Sequence, residues 1–183
     1  MAHINLPDSL PGIAGPLTSY PETAKHLRGL AEALLRGPSS LTSAERELIA
    51  TYVSAQNECT FCMNSHAAIA RCLYGEDRDL VDQAIANFQT ADLDDKMKAL
   101  LVIAGKVQQG GRRVTDEDVA SARAAGADDK AIHDTVLTAA AFCMFNRYVD
   151  GLATWVPEDA AMYDQAGALR AEKGYLWVAG TDE

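Results

Sequence analysis

The sequence is short of basic residues: 16 Lys and Arg stand against 26 Asp and Glu over 183 residues, a net charge of −10. Surfaces that grip phosphate backbones or anionic lipid do so through clustered Lys and Arg, so neither nucleic acid nor a membrane is expected as a partner. Long apolar runs are also lacking, and none approaches the roughly 18 residues that a membrane span requires. Met1 to Ser9 offer no basic stretch followed by an apolar one, and Pro7 and Pro11 interrupt them, so no export signal is read and a cytoplasmic location is expected. Cysteine is sparse: four thiols are too few for a disulfide scaffold. In a reducing compartment the closely spaced Cys59 and Cys62 point instead to catalysis, redox exchange or metal binding. Walker A, G-x-G-x-x-G and G-x-S-x-G sequences are missing, so no bound cofactor is expected, and reducing equivalents come from another molecule.

No segment shows the period-two alternation of a half-buried strand, and no Asn-Gly or Asp-Gly turn separates candidate strands. What is present is helical periodicity, so the expected fold is all-α, a single-domain helical bundle. Pro7, Pro11, Pro16, Gly12 and Gly15 predict an extended arm over residues 1–20. An all-helical domain follows over residues 21–173. Its first helix carries Leu27, Leu30, Leu34 and Leu35 and stops at Gly37-Pro38. Thr42 and Glu45 form a capping-box signature for a second helix that runs to about Gln56. A third begins near Cys59 and ends at Gly75, and Asp77 caps a short fourth. Asp94 or Asp95, Thr115 and Asp128 open three more, the last apolar on more than one face, and Pro157 permits a final helix to Lys173. Residues 174–183 form a tail whose Tyr175 and Trp177 are expected to pack on a neighbouring subunit.

The chemistry concentrates in Cys59-Thr60-Phe61-Cys62-Met63-Asn64-Ser65-His66. On a helix, Cys59 and Cys62 stand at i, i+3 and Cys62 and His66 at i, i+4, so all three groups share a face. A thiol attacks as the thiolate, and a helix N-terminus together with an imidazole one turn away helps it lose its proton. An antiparallel hairpin of the second and third helices brings Glu47 toward His66, where it can orient the base. The second thiol condenses with a sulfenic acid formed on the first. Plainer readings compete: two thiols as small core hydrophobes, His66 as an ordinary helix residue, and Glu47 as part of a solvated first turn. Zinc on both thiols, His66 and Glu47 is another, but the chain has no second Cys-x-x-Cys or His-x3-His to complete a usual site. Cys72 and Cys143 read as packing residues, and His3, His26 and His133 have no informative partners. Spacing does not settle which cysteine attacks: Cys59 is nearer the helix start, Cys62 nearer His66.

The stretch Leu41 to Ala50, then Val53 to Cys62 and Ser65-His66, resembles the alkyl hydroperoxide reductase D core of the carboxymuconolactone decarboxylase-like superfamily. In that pattern a glutamate precedes the first cysteine by twelve residues, the second cysteine follows by three, and a histidine by four more. Glu47, Cys59, Cys62 and His66 match all three spacings. The redox core spans about residues 40–110, and Phe145 to Leu152 is similar to the subgroup described as peroxidase-related. The resemblance implies a thiol-dependent peroxidase acting on hydrogen peroxide or organic hydroperoxides, assembled as a homo-oligomer, a trimer or hexamer. It implies Cys62 as the peroxidatic thiol, Cys59 as the resolving one, and Glu47 and His66 as a proton relay, with an external thiol or dithiol as electron donor. One residue departs from the founding pattern: Phe61 replaces a histidine between the two cysteines. The decarboxylase branch lacks the paired cysteines, which argues against that activity. The alternatives are a disulfide reductase for protein or lipoyl partners and a non-enzymatic redox sensor or zinc-stabilised interaction module.

Overall fold

The structure, a computed structural model, describes residues 1–178. Among these residues it contains nine α-helices and no strand: α1 (Ala14–Ser19), α2 (Pro21–Leu35), α3 (Ser43–Gln56), α4 (Thr60–Tyr74), α5 (Asp79–Asn87), α6 (Asp95–Gln109), α7 (Asp116–Ala124), α8 (Asp129–Gly151) and α9 (Ala160–Lys173). The all-α class is as the periodicity indicates. None of the helices among the described residues is long and apolar enough to cross a membrane.

Side-chain caps fix where most of these helices begin. Thr42 Oγ1 accepts from Glu45 N at 3.1 Å while the Glu45 carboxylate accepts from Thr42 N at 2.7 Å, closing the capping box of α3. Asp94, Asp128 and Asp159 accept from the first turns of α6, α8 and α9 in the same sense. Asp77 does not cap: Gly75–Asp77 form a 3₁₀ turn, and α5 starts at Asp79.

The expected extended arm is corrected in part, because Ala14–Ser19 are helical. Pro16 falls in the first turn of α1, a position whose N–H group would have no intrahelical acceptor, so it opens a helix rather than preventing one, and Pro21 starts α2 where the helical domain is expected to begin. The segment before α1 is tied down by His3 N donating to Leu152 O at 2.9 Å and Gly12 N donating to Trp155 O at 3.0 Å. Gly12 has a φ of 51°, and the Phe61 ring lies where a Cβ would project.

The core forms around α3, in which every residue from Arg46 to Ser54 is buried. Leu48, Ile49 and Val53 pack with Leu100, Leu101 and Ile103 of α6 and Phe142 of α8, all with almost no exposed surface. Each such side chain contributes about 1.5–3 kcal/mol by leaving water. Helix α4 lies antiparallel to α3 and is covered on its other side by α9. The α4–α9 crossing is close because Gly167 faces Ala68: a Cβ on Gly167 would sit 2.8 Å from Ala68 Cβ and 3.0 Å from its carbonyl carbon.

Two glycine-to-alanine changes separate helix propensity from packing. Gly29, inside α2, has open space around it, so Gly29→Ala raises stability by about 0.4–1 kcal/mol. Gly167→Ala forces α9 off α4 and lowers stability by about 1–3 kcal/mol. Urea unfolding midpoints of the two variants move in opposite directions from the parent.

Candidate active site

The connection between α3 and α4 is a tight reversal. Asn57 N donates to Val53 O, Glu58 N to Ala55 O and Cys59 N to Ser54 O, each at 3.0 Å. Glu58 takes a φ of 60°, a left-handed conformation that a non-glycine residue adopts only at some energetic cost. Neighbouring helices hold it there. Asn57 Nδ2 donates to Asn146 Oδ1 at 2.8 Å, Asn146 Nδ2 donates to Ser54 Oγ at 3.0 Å, and Gln108 Nε2 donates to Asn57 Oδ1 at 3.0 Å. The buried Asn146 thereby locks the reversal to α8, and Gln108 locks it to α6.

The reversal sets Cys59 at the N-cap of α4 with Cys62 in the first turn. It also turns Glu47 of α3 toward His66 of α4, where Glu47 Oε2 stands 2.7 Å from His66 Nδ1. Glu47 has no exposed surface. Its other oxygen receives the Arg36 guanidinium at 2.8 Å and the Tyr175 hydroxyl at 2.6 Å. Burial alone would raise the Glu47 carboxyl, but His66, Arg36 and Tyr175 outweigh burial and hold it below the ordinary value of 4.5. Burial and the adjacent Glu47 charge push the Tyr175 phenol well above its ordinary value, so it remains a donor. With the carboxylate ionised and Tyr175 donating to it, Nδ1 of His66 carries the proton it shares with Glu47. The imidazole is further fixed by the Phe142 edge, 4.6 Å between ring centroids, and by Tyr175, whose ring lies nearly parallel to it at 6.1 Å.

Cys59 and Cys62 are both free thiols and both buried. Cys59 packs with Val149 of α8, with Phe61 and Ile13 alongside. A hydrogen bond to Cys62, followed by burial, pushes the Cys59 thiol upward. Cys62 and His66, but not Cys59, line a cavity of about 420 Å³ whose wall also includes Phe61, Ile69 and Tyr163. The chemical capacity of the arrangement is a thiol open to a cavity, a second thiol behind it, and an imidazole whose far face is braced by a carboxylate.

All four residues singled out in the sequence therefore belong to one constellation, with Glu47 and His66 in direct contact. Two partners of Glu47 lie outside the sequence reading: Arg36 and Tyr175. The aromatic tail was a signal, but its expected place on a neighbouring subunit is corrected. Tyr175 packs on Glu47, His66 and Arg36 of its own chain, and Trp177 lies under the Arg170 guanidinium at 5.8 Å. The end of the described tail is tied back by Tyr175 N donating to Glu32 Oε2 at 2.6 Å and Arg170 Nη1 donating to Trp177 O at 2.7 Å. Residues 179–183 of the expected tail lie outside the described residues. Cys72, read as a packing residue, is exposed near the end of α4, and Cys143 is half-buried at 3.6 Å from Asn57 Nδ2. Both oxygens of Glu47 are committed to Arg36, His66 and Tyr175, and among the described residues no cluster of three His, Cys, Asp or Glu side chains is arranged to hold a metal ion.

The depressed Glu47 gives a signed pH dependence. Its contribution to stability is present above 4.5, the value of an unfolded glutamate, and is lost as pH falls through the lower folded value. Urea unfolding between pH 7 and pH 3 detects this loss, and Glu47→Gln flattens the profile while lowering stability at pH 7 by about 3 kcal/mol, since the half-buried Arg36 is left without its anion. Tyr175→Phe removes one donor from a buried carboxylate and costs about 1–3 kcal/mol.

Comparison with known proteins follows the same residues. The Carboxymuconolactone decarboxylase family matches residues 21–104, a span that holds Glu47, Cys59, Cys62 and His66. No curated protein sequence matches the chain. Among solved structures, an uncharacterised peroxidase-related protein from Silicibacter sp. TM1040 is 29% identical, with 82% of this chain and 78% of that chain covered at a TM-score of 0.73. The alkylhydroperoxidase AhpD core of an uncharacterised peroxidase-related protein from Ralstonia eutropha JMP134 is 24% identical, with 91% and 96% covered at a TM-score of 0.78. A protein of unknown function from Agrobacterium tumefaciens shares the fold at 20% identity and a TM-score of 0.66, with 79% and 97% covered. Over residues 21–104 the chain is thus similar to the Carboxymuconolactone decarboxylase family, and over most of its length it shares the helical fold of these peroxidase-related proteins.

Proposed function

We propose that the protein is a thiol-dependent peroxidase that reduces hydrogen peroxide or an organic hydroperoxide through a Cys59/Cys62 dithiol–disulfide cycle. The observation that carries this reading is that Cys62 and His66 share one cavity while Glu47 engages the opposite nitrogen of the same imidazole. His66 Nε2 accepts the Cys62 proton, and Glu47 stabilises the imidazolium that forms. The Cys62 thiolate attacks the terminal peroxide oxygen, the O–O bond breaks, and the departing alkoxide or hydroxide takes the proton back from His66. The products are an alcohol or water and a Cys62 sulfenic acid.

Cys59 then completes the cycle. Its sulfur attacks the Cys62 sulfur, the S–O bond breaks, and the Cys59 proton leaves with the hydroxyl as water. The placement of Cys59 outside the cavity lining suits this second role, because peroxide in the cavity meets Cys62 first. An external dithiol reduces the resulting disulfide and departs oxidised. The roles of Phe61 as an aromatic wall in place of a second relay histidine, of a homo-oligomer, and of a cytoplasmic setting belong to the same reading.

Single-cysteine variants divide the steps. Cys62→Ser lowers steady-state peroxide consumption with a dithiol donor by about 100-fold or more, the range over which a positioned acid–base pair acts. Cys59→Ser reacts once and stops, leaving a sulfenic acid on Cys62 that mass spectrometry detects after trapping with a cyclic diketone. Unchanged consumption in both variants contradicts the mechanism.

A further inference from the structure

The cavity beside Cys62 is far larger than hydrogen peroxide needs. Its volume of about 420 Å³ falls within the ~300–1,000 Å³ of ligand pockets. Leu17, Leu27, Ile69 and Phe145 give it a hydrocarbon wall. Arg28 of α2 breaks the pattern. It lines the same cavity, is half-buried, and among the described residues makes no hydrogen bond or ion pair. Loss of water around this guanidinium lowers its proton affinity.

A second guanidinium reinforces it. Arg170 also lines the cavity, but its Nη1 donates to Gly174 O at 3.0 Å and Trp177 O at 2.7 Å, carbonyls that carry no net charge. Arg28 and Arg170 repel one another. The carboxylate of Glu32, which acts on Arg170 electrostatically, accepts from the backbone N–H groups of Tyr175 and Leu176. A chain of net charge −10 thus places two cations on the wall of an apolar cavity, with only Arg28 free to bind. An apolar lining with one convergent charge is the recognition pattern for an amphipathic anion, and a guanidinium pairs with a carboxylate through two parallel hydrogen bonds.

We propose that the cavity is an acyl-chain site that takes a long apolar ligand bearing a carboxylate, with the carboxylate on Arg28. Resting on the peroxidase reading above, the substrate class is a carboxylated organic hydroperoxide whose peroxide group reaches Cys62. The carboxylate anchors the chain and takes no part in the oxygen transfer, which proceeds as already written.

Titration calorimetry of the full-length reduced protein tests the site without relying on turnover. Decanoate binds about tenfold or more tightly than 1-decanol, since only the acid makes a charge-assisted pair. Bound decanoate also slows alkylation of Cys62 by a maleimide. Arg28→Gln removes the preference for the acid, and Arg28→Lys keeps part of it. Equal affinities for acid and alcohol, no binding of decanoate, an unchanged preference in Arg28→Gln, or no protection of Cys62 each overturns the site. A parent protein that reduces hydrogen peroxide yet ignores decanoate refutes the acyl-chain site alone. One that binds decanoate through Arg28 but leaves peroxides intact supports the site and refutes the peroxidase reading.

Discussion

Glu47 is an ionised side chain with no surface in water, and the site depends on how its charge is held. Three donors reach it from three parts of the chain: Arg36 at the end of α2, His66 on α4, and Tyr175 beyond α9. A buried ion pair of this kind is poor value as stabilisation, because removing charges from water costs several kcal/mol that mutual attraction only partly returns. Its effect is positional. The carboxylate fixes the orientation of the imidazole, and the imidazole faces the cavity that Cys62 shares.

The same constraint explains the construction around it. For Glu47 and His66 to meet, α3 and α4 must run antiparallel after a reversal of only three residues, 57–59. The left-handed Glu58 makes that reversal possible, and the Asn57, Asn146, Ser54 and Gln108 hydrogen bonds hold it against α6 and α8. Helix α9 then crosses α4 closely at Gly167 and delivers the segment that brings Tyr175 over His66. Cys59 thereby stands at the N-cap of α4 and Cys62 in its first turn.

The parts of this arrangement set by local chemistry could be read in the sequence. Thr42 and Glu45 announce the start of α3, the i, i+3 and i, i+4 spacing aligns Cys59, Cys62 and His66, and two helices with a brief connection imply the hairpin that brings in Glu47. The parts set by long-range packing could not. Tyr175 stands 128 residues from Glu47, and an aromatic in a tail signals burial without naming its destination. Arg36 carries no pattern that distinguishes it from a solvated end of helix. The proline at 16 was misleading for a different reason: proline forbids the interior of a helix but favours its first turn, and the sequence alone did not separate the two. The exposed Cys72 shows the limit of residue-type averages, since thiols are usually buried.

On the peroxidase reading proposed above, the Glu47–His66 pair makes Cys62 a fast peroxide-reducing thiol. Stopped-flow mixing of the fully reduced protein with excess peroxide, followed to a single turnover, tests it directly. The account predicts oxidation about 100-fold or more faster than that of free cysteine, one Cys59–Cys62 disulfide per chain, and a large rate loss in a folded His66→Asn variant. Oxidation at the rate of free cysteine, or a rate indifferent to His66, contradicts it.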